Sequence, residues 1–225
     1  MMVVARGDLR ARLTTAKGVT VLVVWLAGLH LLALFGTTPD GTADHPALAV
    51  ASWVFLAAVS FLGVAVGSGE VAIPGEKGLP DLATAFFSPC TIAGGKALSG
   101  LLYSLLLSLL ALPALSFLGG LRALPWTAVA GQVLAVVPVG WAFVGMGTWL
   151  GGAVENDLLR SLAVWTVVGG VLGAFALWGA RSPLQAVHPA APGLLRFLWI
   201  GGWTVVAVAL FWLCAWQVER LRRNP

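Results

Sequence analysis

Gly94-Gly95-Lys96 is the stretch that most invites a chemical reading, because glycines ahead of a lysine can cradle phosphate oxygens with backbone N–H groups. A phosphate-binding loop needs G-x-x-x-x-G-K-[ST]. Here Cys90 stands where the first glycine belongs and Ala97 where the magnesium-binding hydroxyl belongs. The upstream GEVAIPGEK fails too, since five residues separate Gly69 from Gly75 and Glu76 intervenes before Lys77. The chain does not bind ATP by this route. No G-x-S-x-G elbow occurs, and no serine or cysteine has a histidine at convincing spacing, so hydrolysis is not assigned. His45 and His188 lie beside prolines without metal-ligand spacing, and His30 reads as a satisfied histidine of a helix bundle. Cys90 and Cys214 are far apart and form no CxxC motif or disulfide framework.

The elements that carry these residues are apolar. Hydrophobic residues make up 59% of the chain and charged residues 10%, against roughly 25% charged in a soluble domain. A bilayer crossing takes about 20 mostly apolar residues as a helix. Six stretches qualify: about 19–36, 47–67, 97–118, 126–150, 161–180 and 197–217. The expectation is an all-α integral membrane protein with six transmembrane helices. The first apolar run lacks a small-residue cleavage pattern and reads as a retained helix. Within the spans there is no Asp, Glu, Lys or Arg away from the ends, so proton relays and carboxylate chemistry lack candidates.

Orientation follows from the basic residues. With six spans, one side collects Arg6, Arg10, Arg12, Lys17, Lys77, Lys96, Arg160, Arg220, Arg222 and Arg223, while Arg122, Arg181 and Arg196 fall on the other. Ten of the thirteen bases thus place both termini in the cytoplasm. Basic flanks beside lipid head groups account for the net charge of +4, and nucleic acid is not needed as a partner. Residues 1–17 put Val4, Leu9 and Leu13 among arginines, as in a short amphipathic helix on the inner membrane face. Eleven tryptophans read mainly as an interfacial belt, with Trp126, Trp149, Trp178, Trp199 and Trp216 near span ends. The glycine pairs Gly145/Gly147, Gly151/Gly152, Gly169/Gly170 and Gly201/Gly202 predict close helix approach. The proline-rich outer segment 181–196 is expected to dip back toward the membrane.

The longest polar connection, residues 68–96, joins the second and third spans. Asp81 can cap a short helix that sets Leu82 and Phe86, with Leu79, on one side. Ser88-Pro89 then forms a cap and first-turn pair, predicting a new helix to about Phe117 that is longer than the bilayer core unless Pro113 breaks it. This loop resembles that of the permease subunits of the type-2 ABC exporter family. Glu76, Gly78, Leu79, Asp81, Leu82, Phe86, Phe87, Ser88, Pro89, Ile92, Gly95 and Lys96 match its acid, glycine, Asp-Leu, hydrophobic run, Ser-Pro and Gly-Lys pattern. Two departures stand out: Pro80 occupies a position usually held by a small residue, and Leu79 one usually held by a hydroxyl.

The resemblance implies one permease domain over 1–225 in the cell (inner) membrane, with a cytoplasmic coupling helix between spans 2 and 3. It implies a second permease copy or a paralogue, and soluble ATPase subunits that bind ATP and Mg. The chain itself would hold no cofactor and would not be an enzyme. Phe86, Phe87 and Leu82 would bury in an ATPase groove, with Glu76, Lys77 and Asp81 setting polar register around Gly78 and the Ser88-Pro89 restart. A membrane-embedded capture subunit of an importer and a non-catalytic membrane assembly protein are the alternatives.

Overall fold

A computed structural model describes residues 2–14, 16–35, 45–68, 88–121, 123–154, 156–177 and 192–223. These residues form seven α-helices and, among the described residues, no strand: α1 Met2–Thr14, α2 Ala16–Phe35, α3 His45–Gly67, α4 Pro89–Gly120, α5 Trp126–Ala153, α6 Asp157–Leu177 and α7 Gly193–Arg223. Four of them are long and apolar enough to cross a bilayer, over Val50–Gly67, Pro89–Gly120, Trp126–Ala153 and Gly193–Arg220. The described apolar segments of α2 and α6, Leu22–Leu31 and Leu158–Val171, are shorter.

The helix ends have local causes. At the start of α4, the Ser88 side chain accepts from the Thr91 N–H and Pro89 supplies the preset φ of a first turn. Its far end closes with a bond from the Leu124 N–H to the Gly119 carbonyl, and Ala123 takes a positive φ of 51° to make that turn. Pro113 does not interrupt the helix, which runs for 32 residues, or about 48 Å at 1.5 Å per residue. Between α5 and α6, Asn156 Oδ1 accepts from the N–H groups of Leu158 and Leu159. Arg160 donates through Nε and Nη2 to the Val154 carbonyl at 3.1 and 2.8 Å, tying the turn together.

α5 is the central helix. Of its membrane-length window 72% is buried, against 22% for α7, so α5 faces protein on nearly all sides and α7 mostly does not. Glycine lets α3 lie directly on α5. A Cβ on Gly67 would overlap the Val144 carbonyl oxygen, and one on Gly147 would overlap the Val64 carbonyl oxygen. Gly63 meets the Gly140 carbonyl in the same way, at 2.8 Å, and Gly151 lies against Ser68. Gly145 packs on Leu210 and Phe211, and Gly152 on Gln217. The expectation fails for Gly169, Gly170, Gly201 and Gly202, where nothing described lies within 4 Å of an added Cβ. Those glycines sit on helix faces that no described helix covers.

Tryptophan divides similarly. Trp126, Trp149 and Trp216 are exposed, as a belt requires. Trp199 is instead buried and donates its indole N–H to the Ala135 carbonyl at 3.1 Å, because a buried indole needs an acceptor. Trp141 does the same to Ala97 at 2.8 Å and Trp25 to Leu107 at 3.4 Å. Trp25 also stacks on Phe55, and Phe61 on Trp165 joins α3 to α6. Trp178 and the segment 181–191 lie outside the described residues.

Candidate functional site

Of the coupling residues expected from sequence, Glu76, Lys77, Gly78, Asp81, Leu82, Phe86 and Phe87 lie outside the described residues, as does the short helix expected after Asp81. Ser88 and Pro89 are described. Ser88 is exposed, and its Oγ lies 2.8 Å from Thr91 Oγ1 besides accepting the Thr91 N–H at 3.2 Å. The restart expected at Ser88-Pro89 is therefore a capped helix start. Residues 89–96 form the first two turns of α4.

Two turns into α4 is the main polar junction of the described chain. Lys96 Nζ donates to Asp8 Oδ1 at 2.6 Å, and Ser99 Oγ donates to the other carboxylate oxygen. The two charged side chains are only 16% and 11% exposed, so water screens the pair weakly. Asp8 comes from α1, whose Ala5 is buried and whose Leu9 and Leu13 pack against the hydrophobic core. α1 is a helix, as expected from the sequence, but its Leu9 and Leu13 turn to the protein core, and it is fastened to the start of α4 by charge as well as by apolar contact. Chemically the junction is a clamp. Lys96 and Ser99 both donate to the Asp8 carboxylate, one to each oxygen.

The sequence reading passed over Asp8. Its signal was faint: the one acid in a basic segment, on the Leu9 side of the helix, with a partner 88 positions away.

Contacts show which helix ends lie together. Ser68 meets Gly151, Gln217 meets Gly152, and Asp8 meets Lys96. The ends of α3, α5 and α7, the start of α4, and α1 therefore share one end of the bundle, and both ends of the described chain lie there. The same end carries Arg220, stacked over Trp216 at 5.8 Å, and Arg223, paired with Glu219 at 2.9 Å.

Other polar groups are structural. Gln132 is buried and donates to Ser52 Oγ at 2.6 Å between α5 and α3. Cys214 is buried, with Sγ 3.7 Å from the Gly145 carbonyl, whereas Cys90 is exposed. His30 does not face the bundle as expected: it is exposed, and its Nδ1 lies 2.7 Å from the Leu26 carbonyl one turn back on its own helix. Among the described residues no three His, Cys, Asp or Glu side chains gather as a metal site.

A scan of the sequence against known protein families finds no match, and a comparison with characterised proteins finds none with significant similarity.

Proposed function

We propose that this chain is a membrane-spanning permease subunit of an ABC exporter, crossing the membrane six times with both termini cytoplasmic. It would pair with a second permease and be driven by separate ATPases that bind ATP and Mg. The observation that carries this reading is the capped start of α4 at Ser88-Pro89, on a helix about 48 Å long against a hydrocarbon core of about 30 Å. On this reading the excess length would project beyond the bilayer at the bundle end that gathers both ends of the described chain. Phe86 and Phe87 immediately precede Ser88 in the sequence.

The clamp from Asp8 to Lys96 and Ser99 supports the same reading, because it couples α1 and α4 into one body. Closure of the ATPases on ATP would push the coupling segment, and a continuous helix carries that push into the bundle. Cargo would move along the interface between two permeases. The apolar, tryptophan-rich walls favour a hydrophobic or amphiphilic cargo.

The test is copurification of the full chain with a soluble ATPase carrying a Walker motif, repeated with Phe86→Asp and Phe87→Asp together. Loss of a stoichiometric ATPase from the double variant is expected. Retention of that ATPase refutes the docking site, and absence of an ATPase partner for the unaltered chain refutes the transporter reading.

A further inference from the structure

The outward face of α1 has a composition that the proposed transport cycle does not use. Within Met2–Thr14 the chain places one acid, Asp8, against Arg6, Arg10 and Arg12. Asp8 is turned into the bundle and neutralised by Lys96, so the clamp removes the only acid of α1 from its outer surface. Met2, Arg6 and Arg10 follow one another at four-residue spacing and are all exposed, with exposed Val3 beside them. This is a narrow stripe in which two guanidinium groups, one turn apart, follow an exposed apolar pair at the helix start.

From these features we infer that the outward face of α1 binds anionic phospholipid. A guanidinium presents donors in a fork that matches phosphate oxygens, and Met2 and Val3, each 74% exposed, supply apolar contact for the upper acyl chain. A nucleic acid or an acidic protein would use the arginines but leave both apolar side chains in water. The location favours lipid as well. α1 is clamped to the start of α4, beside helices long and apolar enough to cross a bilayer, and Arg220 and Arg223 lie at the same end. The fixed mounting of α1 presents both arginines on one side without further ordering of the helix, which lowers the entropic cost of binding. The inference does not depend on the transporter reading.

The experiment uses the full-length protein in neutral detergent, titrated with phosphatidylglycerol or phosphatidylcholine, with retained lipid per protein and the unfolding temperature as readouts. The unaltered protein is expected to retain phosphatidylglycerol preferentially, and the preference to shrink as salt rises. Each arginine near an anionic surface contributes about fivefold, so Arg6→Gln with Arg10→Gln should weaken phosphatidylglycerol retention by about 25-fold. Phosphatidylcholine retention and the lipid-free unfolding temperature should not change, because neither side chain packs in the bundle. Undiminished phosphatidylglycerol retention by the double variant would overturn the inference. So would equal competition by inorganic phosphate at matched concentration, which would indicate a simple anion site. If the double variant unfolds, the two single variants and the salt dependence of the unaltered protein give the same decision.

Discussion

Substituting Gly147 by Ala tests the central packing of the bundle. The added Cβ would overlap the Val64 carbonyl oxygen and lie 2.9 Å from the Ser68 nitrogen. Both are backbone atoms, one in α3 and one in the residue that follows it, so no side chain can swing aside. Ordinary contact between heavy atoms is about 3.5 to 4 Å, so α3 and α5 must separate by about 1 Å along their shared seam. Overpacking of this kind costs about 1–3 kcal/mol, and a forced backbone shift places it near the upper end. Alanine returns up to about 1 kcal/mol through its better helix propensity, which leaves a net loss of about 2 kcal/mol. Gly201→Ala is the matched control, because nothing described lies within 4 Å of its added Cβ. It should be neutral or slightly stabilising. The assay is unfolding of the purified full-length protein in mixed micelles with increasing denaturing detergent, followed by far-UV circular dichroism. Equal midpoints for Gly147→Ala and Gly201→Ala would refute the close α3–α5 seam.

Three further outcomes are expected from the same assay. Asp8→Asn and Lys96→Met should each destabilise by about 1–3 kcal/mol, since each removes the weakly screened ion pair that fastens α1 to α4. The double variant should lose clearly less than the sum, and strict additivity would show that the clamp contributes nothing. Trp199→Phe should cost about 1–2 kcal/mol by leaving the Ala135 carbonyl without its indole donor, while Trp126→Phe, at an exposed position, should stay within about 0.5 kcal/mol; similar losses for both would argue against the buried indole bond. Ala123→Gly should stabilise by up to about 1 kcal/mol by relieving the positive φ at the end of α4, and a loss would contradict that turn geometry.

Much of the fold was legible for short-range reasons. Runs of about 20 apolar residues mark candidate spans whatever surrounds them. The start of α4 was readable because Ser88 and Pro89 act on the N–H groups of the same turn. The absence of charge within the apolar runs argued against intramembrane acid chemistry by composition alone. The docking residues from Glu76 to Phe87 were readable only as a resemblance, and they lie outside the described residues.

What sequence could not decide is which faces touch. The apolar helices carry no clear polar stripe, and lipid tails are as apolar as a leucine-rich core, so hydropathy does not distinguish a face that meets a helix from one that meets lipid. Gly147 and Gly201 look alike in sequence, yet one lies on the backbone of α3 and the other faces open space. Trp199 and Trp126 both flank spans, but only Trp199 is buried with a carbonyl to bond. Composition and local capping determined the class of this protein, its apolar spans and the start of α4. Tertiary packing alone made α5 the centre and joined Asp8 to Lys96 and Ser99, because contacts between distant residues depend on how helices cross, and crossing is set by the few backbones that can approach closely.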